Sequence, residues 1–237
     1  MTKLSVNINK IATIRNARGG NTPNVEEAAD KCQEFGADGI TVHPRPDERH
    51  ITRKDVFNIH KVIRTEYNIE GYPNERFLNL MEEIKPHQAT LVPDPPDVLT
   101  SNAGWDTVKH QDFLKEIIQQ LKSLGIRTSI FIENDQKLLE GAAQCGVDRV
   151  EFYTGPYADG FSENKENAIA PYVKSAEICQ DLGLGINAGH DLNTENLAYF
   201  KQNIPGLLEV SIGHALISDA LYWGLENTIN IYKKLLR

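Results

Sequence analysis

The chain is poor in cysteine: Cys32, Cys145 and Cys179 are the only three in 237 residues. The number is odd and no two form a CxxC pair, so a disulfide framework is excluded and reduced thiols in a cytoplasmic protein are expected. No apolar run approaches the roughly 18 residues of a membrane-spanning helix, and the N-terminus leads into a strand pattern without a signal-peptide run. Positive charge is also short. With 25 Lys and Arg against 33 Asp and Glu, the net charge is −8, which excludes a general nucleic-acid or anionic-membrane binder and leaves anion binding to a local cluster. The first strand–helix turn lacks a GxGxxG signature, against a doubly wound dinucleotide fold. The first strand has no His-x-His, a pattern often seen in metal-dependent barrels. No strand carries a lysine past Lys3, so a Schiff-base aldolase would lack its amine.

What is present is ordinary globular material, 40% apolar and 24% charged, enough for a sizeable core. Strand patterns over 4–8, 39–42, 68–71, 88–92, 127–132, 149–153, 184–188 and 207–212 alternate with helical ones. The helical patterns cover 24–35, 52–64, 74–84, 106–124, 135–145, 167–182, 194–202 and 215–236. Polar loops are expected over 9–20 and 154–163, and a long loop over 93–105 that would cover a site. Eight β-then-α units, with no composition break, predict one (β/α)₈ barrel over residues 1–237. Gly36, Gly125, Gly146 and Gly183 stand where helices must stop before strands.

The stretch Gly39 to His50 organises the reading. A short buried strand ends abruptly in His43, Arg45, Arg49 and His50, stiffened by Pro44 and Pro46. A solvated charged turn would look the same for any one of these residues. The same arrangement recurs, however, at other strand ends: Asn7 and Asn9, Glu70, Glu133, Glu151, Asn187 with His190, and His214. In barrels the site sits at these ends. His43 and His190 are candidate proton-transfer groups and Glu70 a carboxyl in an apolar setting. The strand-seven and strand-eight ends, Asn187-Ala188-Gly189-His190 and Ser211-Ile212-Gly213-His214, fit a phosphate site at a helix N-terminus. Arg18, Arg45 and Arg49 are further phosphate donors.

These residues lie in motifs that resemble one family, the pyridoxine 5′-phosphate synthases of deoxyxylulose-dependent vitamin B6 biosynthesis. The motifs are VNINKIATIRNARGG, GADGITVHPRPDERHI, NIEGYP, VEFYTGPYAD, NAGHDLN and SIGHALI, spread in family order from Val6 to Ile217. The resemblance implies a barrel with a few added helices, often an octamer. It implies condensation of 1-deoxy-D-xylulose 5-phosphate with 3-amino-2-oxopropyl phosphate by acid–base catalysis, with no metal or organic cofactor. Carried across, His43 and Glu70 are acid–base groups, His190 a proton donor and Glu151 a stabiliser of transition-state charge. Asn7, Arg18, Gly213 and His214 would hold the aminoketone phosphate, and Arg45, His50 and Thr100 the sugar phosphate. The chain departs from the common pattern at Asn9-Lys10, where Asp-His is usual, at Asp191 for glycine and at Tyr153 for histidine. Lys10 would still offer a cation to the sugar phosphate, and Asp191 would meet phosphate through its N–H alone. The competing readings are a metal-dependent barrel hydrolase or isomerase, with His43, His190, His214 and Glu151 as ligands, and a non-catalytic binder of sugar phosphates.

Overall fold

A computed structural model describes residues 1–93 and 103–237. Eight parallel strands close into a barrel in sequence order, the first pairing with the last. They are β1 Lys3–Asn7, β2 Gly39–Val42, β3 Glu66–Gly71, β4 Gln88–Leu91, β5 Arg127–Ile132, β6 Arg149–Tyr153, β7 Gly185–Gly189 and β8 Leu207–Ile212. The helices among the described residues are α1 Asn9–Arg18, α2 Val25–Glu34, α3 Arg53–Val62, α4 Glu75–Ile84, α5 Gln111–Ser123 and α6 Gln136–Cys145. They continue with α7 Gly155–Asp181, α8 Leu197–Asn203, α9 His214–Trp223 and α10 Leu225–Leu235. Among the described residues no helix is long and apolar enough to cross a membrane.

Side-chain alternation divides each strand. Leu4 and Val6, Ile40 and Val42, Tyr67 and Ile69, and Val150 and Phe152 join the buried apolar layer between strands and helices. The opposite positions fill the barrel, where branched apolar residues usually dominate, and here they are polar. Ser5 Oγ meets Thr41 Oγ1 at 2.7 Å, Asn68 Nδ2 donates to Thr41 Oγ1 at 3.3 Å and Thr90 Oγ1 donates to Asn68 Oδ1 at 2.9 Å. Below them Arg127 Nε donates to Gln88 Oε1 at 2.8 Å and pairs with Glu66, which also meets Lys3 at 3.4 Å. Arg149 lies 3.7 Å from Glu209 and donates to Asn187 Oδ1 at 3.2 Å. Buried polar groups cost several kcal/mol unless partnered, and this network supplies partners to most of them, Ser129 Oγ and Asn187 Nδ2 excepted.

Local chemistry sets the helix ends. Thr52 and Asp55 form a reciprocal capping box at α3, and Asn24, Asn74 and Asp135 cap α2, α4 and α6. The stop residues Gly36, Gly125, Gly146 and Gly183 all have positive φ, the left-handed conformation that glycine adopts without strain.

Three stretches depart from the sequence expectation. Residues 9–18 form α1 rather than a polar loop, because its buried face includes Arg15, whose Nη1 lies 2.6 Å from Asp55 Oδ1. Residues 155–163 of the second expected loop are the first half of α7, with Gly155-Pro156 in its first turn, where proline is favoured. That half packs Tyr157 and Phe161 into an aromatic cluster with Tyr172, Tyr199 and Phe200. It breaks at Asn164, whose Oδ1 accepts from Asn167 N at 2.8 Å and restarts the expected second helix. The C-terminal helix is two, α9 and α10, divided at Gly224 with φ +78°.

Candidate active site

The C-terminal ends of the strands open into a cavity of about 720 Å³, within the ~300–1,000 Å³ usual for small-molecule sites. Asn7, Asn9, Lys10, His43, Arg45, His50, Glu70, Glu151, His190, Asp191, Gly213 and His214 all line it. One expected residue is elsewhere and one is not described. Arg18 is the exposed last residue of α1, away from the cavity wall. Thr100, with most of the 93–105 stretch expected to cover the mouth, lies outside the described residues. Glu133 is not on the wall either.

One side of the wall is a chain of hydrogen bonds that starts where β1 turns into α1. Asn7 Oδ1 accepts from Asn9 N at 3.1 Å, and Asn9 Oδ1 accepts from His43 N at 2.9 Å. Asn7 Nδ2 reaches Glu70 Oε2 at 3.4 Å. His43 Nδ1 stands 3.9 Å from the same oxygen, beyond hydrogen-bonding range. Burial, then the proximity of Arg45, His50 and Arg49, pushes the His43 imidazole down to about 3. At neutral pH the pair is therefore a neutral imidazole beside a carboxyl group, not an ion pair, and His43 is free to accept a proton.

His50 is held differently. Its Nδ1 accepts from Ile51 N at 2.9 Å, which places the ring hydrogen on Nε2. Burial and the charges of Arg45, Lys10 and Arg49 push it down to about 4. His50 is thus a neutral donor within a cluster of cations, a setting suited to a phosphate.

Glu151 is buried on β6, in register with Asn187 on β7, and its carboxyl reaches Gly189 two residues further along that strand. A Cβ at Gly189 would collide with Glu151 Oε1, so the glycine makes room for the carboxyl. Burial, reinforced by Glu70, raises Glu151 well above the usual carboxylate range. Gly213 plays a similar part for Asn7. An added Cβ would lie 3.1 Å from Asn7 Cβ and 3.2 Å from Cγ, so it is Asn7, not an open phosphate cup, that meets the missing side chain. His214 begins α9, whose first turn has no side-chain cap, leaving its N–H groups and dipole for an anion.

His190 and Asp191 follow β7 with φ +77° and +57°. The Asp191 carboxylate, expected to stay clear of ligand, is turned onto its neighbour: Oδ2 is 2.6 Å from His190 Nδ1. That hydrogen bond outweighs burial and, with the charge of His190 and His214, holds Asp191 below the usual range. Phe131, Thr13 and Leu192 also line the cavity and were missed in the sequence. For Phe131 the alternation Ser129-Ile130-Phe131 carried the signal. Among the described residues no three His, Cys, Asp or Glu side chains are grouped to hold a metal ion.

Over residues 4–237 the chain matches the family described as Pyridoxal phosphate biosynthesis protein PdxJ. It is 60% identical to a pyridoxine 5′-phosphate synthase of Bacteroides thetaiotaomicron, and as close to one of Christiangramia forsetii, in each case over 237 residues and 100% of both chains. Among solved structures it is similar to phosphoribosyl anthranilate isomerase from Thermotoga maritima, at 14% identity with a TM-score of 0.61, covering 100% of this chain and 98% of that one. Tryptophan synthase from M. tuberculosis aligns at 11% identity with a TM-score of 0.65, covering 100% of this chain and 94% of that one. At such identities the likeness concerns the barrel alone.

Proposed function

The chain belongs to the PdxJ family and is an enzyme of vitamin B6 biosynthesis, and from that premise we propose how its barrel mouth makes pyridoxine 5′-phosphate. The substrates are 1-deoxy-D-xylulose 5-phosphate and 3-amino-2-oxopropyl phosphate, and inorganic phosphate and water leave. An amine condenses with a ketone, water and phosphate depart and a carbon–carbon bond closes the ring, so protons move at each stage.

The observation that carries the assignment is a buried imidazole and a buried carboxyl facing one cavity, His43 and Glu151, with burial lowering the first and raising the second. In this reading His43 accepts protons, Glu70 exchanges them beside it, and His190 returns one to the departing oxygen. Glu151 stabilises charge that develops in the transition state. Lys10, Arg45 and His50 receive the sugar phosphate. Asn7, Gly213, His214 and the first turn of α9 receive the aminoketone phosphate, with the Asp191 N–H at the rim. Incoming phosphate offsets the cations that depress His43 and so raises its basicity once substrate is bound.

We place the protein in the cytoplasm, working as one catalytic domain assembled with copies of itself. Exposed Leu221, Tyr222 and Trp223 at the end of α9 offer an apolar contact for a second copy. The test is to mix both substrates with purified protein and follow pyridoxine 5′-phosphate. Formation after exhaustive chelation supports the reading. Binding of either phosphate without turnover would leave a sugar-phosphate binder, and turnover restored only by a divalent ion would favour a metal-dependent enzyme.

A further inference from the structure

We infer that Asp191 is a positioning residue for His190, fixing which ring nitrogen carries the exchangeable proton. Neighbouring side chains in a strand point to opposite faces, so a residue and its successor ordinarily cannot pair. Here β7 ends at Gly189 and the next two residues both enter the left-handed region, at φ +77° and +57°. That backbone turns the two side chains toward each other, and His190 Nδ1 and Asp191 Oδ2 meet at 2.6 Å. Histidine and aspartate are among the few side chains that tolerate this conformation.

The turn is held from outside. Thr154, between β6 and α7, donates through Oγ1 to Gly189 O at 2.7 Å and also to His190 O. Asn196 Nδ2 donates to Asp191 O at 3.2 Å. The Tyr153 ring packs edge-on against the imidazole, with centroids 5.2 Å apart. Two consecutive left-handed side chains, fixed by three separate groups, fit a conformation maintained for its product, the His–Asp pair.

The consequence is chemical. An imidazole whose Nδ1 hydrogen is given to a carboxylate exchanges its proton through Nε2, whether the ring is neutral or charged. His190 lines the cavity, so a molecule there meets one defined nitrogen. A carboxylate at the rim of a phosphate-binding mouth repels its ligands, and turning it onto His190 draws that charge into a pair. The inference rests on the proposed role of His190 as proton donor, but the pairing can be read without catalysis.

The experiment compares wild type with Asp191→Gly and Asp191→Asn, both of which accept positive φ. Nitrogen-15 spectra, with His190 assigned by difference against His190→Gln, report which nitrogen is protonated when the ring is neutral. Wild type should show hydrogen on Nδ1. Asp191→Gly should move toward the Nε2-protonated form that free imidazole side chains prefer. Turnover should fall by about tenfold to a hundredfold in kcat, the scale of losing a partner that orients a histidine, with KM for either substrate moving less than about threefold. Hydrogen on Nε2 in wild type, or the same tautomer in all three proteins, overturns the inference, as does an unchanged kcat in Asp191→Gly. A wild-type protein that makes no product refutes the proposed function instead, and the spectra still decide the pairing.

Discussion

At the scale of single residues, burial decides which protonation states the cavity offers. His43 and Glu151 are both buried, and burial disfavours charge on each, lowering the imidazole and raising the carboxyl. The same physical cause favours the neutral form of both, an imidazole with one nitrogen unprotonated and a carboxyl that holds its proton more tightly. Removing these functions should be costly to chemistry and cheap to folding. His43→Ala and Glu70→Gln should each lower kcat by about 10²–10⁴-fold, the usual range for a positioned acid or base. Steady-state kinetics beside a thermal melt checks this, and near-normal turnover in both variants would remove them from the mechanism.

At the scale of elements, the parts that were legible are those where pattern and packing agree. In β3, Tyr67 and Ile69 alternate with Asn68 and Glu70, and the alternation alone puts Glu70 inside. The set of strand-end polar groups was legible for the same reason. Where a polar residue occupies an inner face, the pattern misleads. Arg15 breaks the apolar period of α1 because its partner, Asp55, stands 40 positions away in sequence. The pair is nearly inaccessible, with 7% and 11% of the two side chains exposed. Asp55→Ala should therefore cost about 3–5 kcal/mol, the scale of orphaning a buried charge, as read by urea unfolding. Burial works against ionised Asp55, but its bonds to Arg15 and Thr52 win and lower it. Its contribution is present above the ordinary aspartate value of about 3.9 and is lost as pH falls through the lower folded value. The gap between wild type and Asp55→Ala should narrow only below about pH 4. The His190–Asp191 pairing was not legible, since sequence adjacency in an extended chain argues against it. Nor was the neighbour of Gly213. Because the missing side chain there faces Asn7, which reaches Glu70, Gly213→Val should displace Asn7. It should weaken aminoketone-phosphate binding by roughly 2–3 kcal/mol, the scale of charge-assisted hydrogen bonds, and lower kcat as well. Loss of binding with kcat intact would mean that Asn7 does not transmit the change.

At the scale of the whole molecule, the barrel interior is a polar column, and its acids set how stability depends on pH. Glu209 and Glu66 lie close enough at the end of the barrel away from the cavity for each to shift the other's carboxyl. Burial and the neighbouring Glu66 raise Glu209, against the pull of Arg149. Glu66, despite its own burial, is lowered by Arg127 and by the neighbouring Glu209. A raised acid binds its proton more tightly in the folded state, so between its unfolded value, about 4.3, and its folded value the native state carries more protons. Stability therefore falls as pH rises through that window. Glu151, raised by burial, adds the same slope. Glu66 contributes in the opposite sense, but only below about pH 4.3, where its folded value lies. Glutamine at 209 keeps the shape and cannot ionise. Glu209→Gln should thus leave the unfolding midpoint nearly unchanged at pH 5 and raise it increasingly up to the folded Glu209 value of about 8, levelling off above it and flattening the wild-type decline. Urea midpoints for both proteins at one protein concentration decide this. Parallel curves would mean that Arg149 already compensates an ionised Glu209, and that the column carries its charges at no cost to the fold.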